Sequence, residues 1–385
     1  MNYQLPALDA MLGRLVAARS VSSVDPAHDM GNRAVCELIA DWAEGLGFAI
    51  EWMEIPEDPR KVNLIATLGS GPGGLVLSGH TDTVPCDEAL WTSDPFRVEA
   101  RDGRYYGLGT ADMKGFFAVA LAAAARFRAG DLAQPLILLA TADEESGMSG
   151  ARTLLEQGRP HAAQALIGEP TGLVPVRMHK GVMMERVRLL GRSGHSSLPA
   201  VGNNALEGMH RVIGALLAWR DELQRDWQQP AFSVPGPTMN LGHIHGGDNP
   251  NRICGECELW LDLRPLPGMS LQALRETLVE RVEQAVAGSG LGVEVSPLFP
   301  GLPAMETAAD SPLVRLTEQL SGRTAEAVTF GTEGPFLQQL GLDTVVLGPG
   351  GIEQAHQPDE FVARSQLDSG IALVERLVEG CCVRR

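Results

Sequence analysis

The chain contains no apolar run long enough to cross a bilayer: the longest nearly unbroken one, residues 116–127, is well short of the ~20 residues a spanning helix needs. No transmembrane helix is expected, and no membrane partner. Positive charge is also scarce, with 31 Lys and Arg against 48 Asp and Glu and a net charge of −17, so a phosphate backbone would be repelled over most of the surface. Aromatic residues make up only 5%, which leaves few platforms on which bases could stack. Nucleic acid is therefore not an expected partner. Cysteine is sparse as well, six in 385 residues, too few for a disulfide scaffold and in keeping with a reducing compartment. The start, Met1 to Pro6, has neither a basic segment nor a continuous apolar one, so no secretory signal is expected and the cytoplasm is the default location. Cys254 and Cys257 have the spacing of a zinc or redox pair, but no second spaced pair exists and they read as ordinary strand cysteines.

What is present is the mix of a globular protein, 44% apolar and 21% charged, with length for two or three domains at ~150 residues each. Leu8, Leu12, Leu15 and Val16, then Val35, Leu38, Ile39, Trp42 and Leu46, recur at helical spacing and predict two helices. Short apolar runs at 63–68, 75–77, 136–139, 165–167 and 344–347 alternate with helical stretches, the pattern of buried strands in an α/β sheet. Between 180 and 300 the rhythm changes to β-α-β-β-α-β, a ferredoxin-like α+β unit. The expected architecture is an α/β/α mixed-sheet domain of residues 1–179 and 301–385, interrupted by an inserted lid or dimerisation domain of residues 180–300.

The chemistry concentrates after the predicted strands. The run at 75–77 is followed by His80-Thr81-Asp82, that at 136–139 by Asp143-Glu144-Glu145, that at 165–167 by Glu169, and that at 344–347 by a glycine loop leading to His356. In open α/β sheets ligands bind outside the carboxyl ends of strands, so these groups should meet in one crevice. Carboxylates and imidazoles gathered there would repel or desolvate badly without a cation, and they are donors suited to Zn²⁺ or Co²⁺. The run Gly107-Leu108-Gly109-Thr110-Ala111-Asp112 fails as a dinucleotide loop, because Asp112 stands where the last glycine belongs and no buried strand precedes it. Asp112 instead reads as a helix cap or as a carboxylate shared by two metals. With His80, Asp112, Glu145, Glu169 and His356 as ligands, two divalent ions outweigh three carboxylates by one charge, which a hydroxide neutralises. That is a hydrolase site. Asp82 is placed to accept the His80 ring N–H, and Glu144, beside a ligand but pointing elsewhere, is the expected general base. A metal-dependent binding protein would have no need of that base.

Four runs carry a wider likeness: Ser78-Gly79-His80-Thr81-Asp82-Thr83-Val84-Pro85, Gly109-Thr110-Ala111-Asp112-Met113-Lys114-Gly115, Asp143-Glu144-Glu145-Ser146-Gly147 and Gly168-Glu169-Pro170-Thr171. Together they resemble the dinuclear-zinc hydrolases of the aminoacylase, carboxypeptidase G and succinyl-diaminopimelate desuccinylase family, over nearly the whole chain. The resemblance implies His80 and Glu169 on one metal, Glu145 and His356 on the other, and Asp112 bridging, with a cis peptide between Asp112 and Met113. It implies that His195, in Gly194-His195-Ser196, stabilises the oxyanion in the neighbouring subunit of a homodimer. By the same resemblance Lys180, Asn251 and Arg264 bind the substrate carboxylate, although Met183-Met184-Glu185 departs from the family phrasing nearby. The expected reaction is removal of the acetyl group from a small N-acetylated amino acid; desuccinylation or a broader N-acyl deacylation is the alternative. Glu333, an acid among glycines, reads as either a substrate contact or a structural residue. His243 and His245, two apart on a predicted strand, read as a metal pair lacking a third donor or as structural residues.

Overall fold

The computed structural model describes residues 3–383; Met1 and Asn2, part of the start read above for a secretory signal, lie outside them. The chain divides into two compact units, one of Met1–Arg177, Thr307–Glu326 and Thr332–Arg385, the other of Met178–Glu306 and Ala327–Gly331. The second is an insertion whose first and last residues are neighbours, since Met178 pairs with Glu306 and His179 with Met305 in antiparallel register.

The larger unit is built on a mixed sheet in the order Ala49–Ile55, Asp58–Leu68, Leu136–Thr141, Leu75–His80, Gln164–Pro170, Asp343–Gly348. Leu75–His80 runs parallel to both its neighbours, and Asp343–Gly348 parallel to Gln164–Pro170. The two strands on the Ala49 side are antiparallel to each other, and Asp58–Leu68 is antiparallel to Leu136–Thr141. Leu75–His80 and Leu136–Thr141 are buried at every position, which is why they read as unbroken apolar runs without alternation. The helix Lys114–Ala124 is apolar on all sides because it lies among the sheet, the helix Leu8–Ala17 and the helix Arg364–Cys382.

Parallel pairing brings strand ends level. His80 sits opposite Thr141, each the last residue of its strand, and Gly348 lies opposite Pro170, the residue after Glu169. His80 and Glu169 therefore belong to the strands themselves, one position earlier in the architecture than loops following them would be. Gly168 shows how tightly this end is packed: a Cβ there would stand 2.0 Å from the Phe116 ring, so only glycine lets that ring lie under the strand beside Glu169. A small sheet of Glu99–Arg101, Arg104–Tyr106 and Phe361–Ala363 was not legible as strands, being three residues each.

The inserted unit is an antiparallel sheet in the order Thr238–Gly246, Glu256–Arg264, Met183–Leu190, Gly292–Pro297. The helices Ala205–Asp226 and Leu271–Ala285 cover one face, burying Met209, Leu216, Leu278 and Val282 against Val187, Leu189, Leu259 and Leu261. Glu185 points into that covered face and is held there by Arg275, 2.6 Å away. This pair occupies the stretch where the sequence departs from the family phrasing. His243 stacks on Trp260 with ring centroids 4.5 Å apart, after a bulge in its strand. Cys257 is buried on the helix-covered face of its strand, and all six cysteines are free thiols. Among the described residues, no helix is long and apolar enough to cross a membrane.

Candidate metal centre

At the carboxyl ends of the parallel strands the larger unit brings together His80, Asp112, Glu144, Glu145, Glu169 and His356. Asp112 is central. Its Oδ1 lies 3.0 Å from His80 Nε2 and its Oδ2 3.4 Å from His356 Nε2, so each oxygen faces a different imidazole. His80 Nε2 is also 3.7 Å from Glu169 Oε1, and His356 Nε2 is 3.0 Å from Glu145 Oε2. Each histidine thus has a carboxylate of its own and shares Asp112 with the other. Ligand atoms of His80, Glu144 and Glu169 lie within 4.8 Å of one another, as do those of His80, Asp112 and Glu145.

Hydrogen bonding fixes the first imidazole. His80 Nδ1 lies 3.0 Å from the main-chain carbonyl of Asp82, and a carbonyl only accepts, so Nδ1 carries a proton and Nε2 is the nitrogen that faces the carboxylates. Asp82 meets the ring as expected, through its carbonyl: two residues along the turn the backbone oxygen reaches Nδ1, while Asp82 Oδ1 stays 3.7 Å away. The Asp82 carboxylate instead accepts the Glu145 N–H at 3.1 Å and so holds the Glu144-Glu145 turn. Asp112 reaches the site from a loop held by a residue that sequence reading did not single out. Glu360 accepts the N–H groups of Ala111 at 2.8 Å and Asp112 at 3.0 Å on one oxygen, and that of Gly109 at 3.1 Å on the other. The Asp112–Met113 peptide is cis, as the resemblance implies.

The electrostatics ask for a cation. Burial pushes the Glu144 and Glu169 carboxyls well above their usual range, and the neighbouring carboxylates push them the same way against the pull of His80. Glu145 is raised by burial and by Asp112, with His356 opposing. Asp112 is the exception: burial disfavours its charge, but the two histidines hold it well below the carboxylate range. His80 would be pulled down by burial, yet Glu169, Asp112 and Asp82 hold it well above its ordinary value, and His356 is raised to about 10 by Asp112 and Glu145. Three of four carboxyls resisting ionisation around two imidazoles is the state of a site whose positive charge is supplied from outside. The donors, two imidazole nitrogens and several carboxylate oxygens with no thiolate, fit a pair of divalent metal ions.

The remaining expected residues fall elsewhere. Glu333, fully buried, bonds to the Ser78 hydroxyl and accepts from Thr141 Oγ1 at 2.7 Å, so it braces two adjacent strands. Within the inserted unit, Lys180 is buried and donates to the carbonyls of Val234 and Gly236 at 2.8 and 2.6 Å, over the Phe232 ring, anchoring the proline-rich loop. Arg264 donates to Asp262 at 3.0 Å, and Asn251 is exposed on a turn, its N–H on Asn249 Oδ1. His195 is exposed on its loop. Ser197 N–H donates to its Nδ1 at 3.2 Å, which leaves the ring proton on Nε2, the tautomer a hydrogen-bond donor at Nε2 requires.

Comparison with known proteins places this geometry. The model of peptidase family M20/M25/M40 matches residues 76–380. The acetylornithine deacetylase of Edwardsiella ictaluri is 48% identical over 384 residues, covering 100% of both chains, and that of Proteus mirabilis is 47% identical, covering 100% of this chain and 99% of the relative. Among solved structures, the M20 family metallo-carboxypeptidase Sso-CP2 of Sulfolobus solfataricus superposes with TM-score 0.76 at 18% identity, over 97% of this chain and 99% of that one. The aminopeptidase PepT of Bacillus cereus gives TM-score 0.75 at 20% identity over 97% of each chain. The latter two share the fold.

Proposed function

From the premise that the chain belongs to peptidase family M20/M25/M40, a family of metallohydrolases, we propose that it removes the acetyl group from N2-acetyl-L-ornithine, giving L-ornithine and acetate for arginine biosynthesis. The observation that carries the hydrolytic reading is Asp112, with one oxygen toward His80 and the other toward His356. The choice of substrate is supported by full-length identity of 46–48% to acetylornithine deacetylases. His80 and Glu169 would hold one divalent ion and Glu145 and His356 the other, with Asp112 between them and Zn²⁺ or Co²⁺ as the metal. Such ions lower the pKa of water from ~15.7 towards ~7 and polarise an amide carbonyl.

The chain's own groups do the rest. Glu144 takes the proton from the attacking water, then delivers it to the departing α-amine, so the amide C–N bond breaks with a neutral leaving group. His80 is kept in one tautomer by the Asp82 carbonyl. His195, with its proton on Nε2, donates to the developing oxyanion from the partner subunit of a homodimer in the cytoplasm, while Lys180, Asn251 and Arg264 remain the proposed carboxylate-binding set. Glu333 is the other residue proposed from sequence, and its hydrogen bonds support a bracing role. Stripping divalent ions with a chelator should abolish hydrolysis, and adding back Zn²⁺ or Co²⁺ should restore it at near two ions per chain. Full activity in metal-free protein would overturn the reading.

A further inference from the structure

The turn that bears Glu144 and Glu145 is held from below by buried polar groups that the reaction does not use. Residues 142–148 join the strand Leu136–Thr141 to the helix Ser149–Gln157, and two of them, Asp143 at φ +65° and Met148 at φ +57°, occupy the left-handed region. A non-glycine backbone stays there only where its surroundings hold it. Asp143 supplies the anchor. Its Oδ1 accepts from Ser22 Oγ at 2.6 Å, Ser146 Oγ at 2.9 Å and Lys61 Nζ at 2.5 Å, and its Oδ2 from Ser149 Oγ at 2.8 Å. Its carbonyl accepts the N–H groups of Gly147 and Met148.

Lys61 is the cation at the centre of this arrangement. Its side chain is 9% exposed and its ammonium bonds Asp29 Oδ1 at 2.9 Å as well as Asp143, so it sits between two carboxylates. It projects from the strand Asp58–Leu68 and is not among the expected site residues. We propose that Lys61 is a positioning residue: clamped by Asp29 and Asp143, it fixes the turn of residues 142–148 and thereby the aim of Glu144 and Glu145, neither of which it touches. Removing the ammonium leaves Asp143 buried without its counter-charge, which favours rotation of that carboxylate towards water and release of the three serine hydroxyls. A displacement of about 1 Å in a reacting group can cost ~10²-fold in rate. The inference rests on the reading of Glu144 as the base.

The test is Lys61→Met, which keeps the stem and removes the charge. In the metal-free protein, hydrogen exchange at the Glu145, Gly147 and Met148 amides should quicken about tenfold while the amides of Leu136–Thr141 keep wild-type protection. In the metal-loaded protein, kcat on N2-acetyl-L-ornithine should fall ~10–100-fold with KM within about threefold. Asp29→Asn, which loosens the clamp from its other side, should move both readouts in the same direction by less, and it serves if Lys61→Met does not fold. Unchanged exchange in the turn, or a wild-type kcat in either variant, overturns the proposal. Absence of any amide hydrolysis by the wild type would instead count against the function, with the exchange result still deciding the role of Lys61.

Discussion

Glu144→Gln should lower kcat by about 10²–10⁴-fold while the protein keeps its full complement of metal and its fold. The amide is close to the carboxylate in shape and cannot carry the proton from water to amine, so the loss falls on the chemical step. Glu144 lies near His80 and Glu169 but makes none of the carboxylate contacts that pair Asp112 and Glu145 with the histidines. Metal analysis of the purified variant separates the two roles. If ions leave together with the activity, Glu144 is a ligand and the assignment of base is wrong. Asp112→Asn should show the reverse pattern, losing at least one ion, because it removes charge from the group shared by both imidazoles.

The second large effect is expected at His195. A donor that engages the oxygen mainly in the transition state lowers kcat more than it raises KM, so His195→Ala should lose on the order of 10²–10³-fold in kcat, as other oxyanion donors do. The Ser197 amide holds Nδ1 as an acceptor, so the ring proton is on Nε2, where a donor is needed. If that donor serves the partner's site, mixing His195→Ala with Glu144→Ala and allowing subunits to exchange should recover activity. One site of each mixed dimer then contains both native groups. No recovery after demonstrated exchange, or a monomer by light scattering, would remove the cross-subunit role and leave the two-metal chemistry untouched.

The cluster of imidazoles and carboxylates was legible because parallel strands announce themselves as short unbroken apolar runs, and the residues ending those runs must meet at one edge of the sheet. His80, Glu145, Glu169 and His356 were found in this way. The supports were not. Glu360, buried with its carboxyl pushed up to about 8 by burial and by Asp112, braces the Asp112 loop through three amides, yet nothing in its sequence neighbourhood points to residues 109–112. Lys61 looks like one more strand lysine until Asp29 and Asp143 arrive on either side of it. Asp82 was correctly placed beside His80, but which of its oxygens meets the ring depends on backbone angles that spacing does not encode. Lys180 is a further case. Its ammonium is buried on the carbonyls of Val234 and Gly236, an anchor more than fifty residues away that its sequence neighbourhood does not announce.

The central claim, an amide hydrolase directed at N2-acetyl-L-ornithine, is tested most directly by steady-state kinetics of the metal-loaded protein on that compound beside N-succinyl-L,L-diaminopimelate and a series of N-acetyl amino acids. A site whose polar groups match one side chain discriminates against those lacking it by ~10² or more, so kcat/KM for N2-acetyl-L-ornithine should lead the series by at least about tenfold. A higher kcat/KM for the succinylated substrate, an even rate across all N-acetyl amino acids, or no amide cleavage with both metals bound would contradict it.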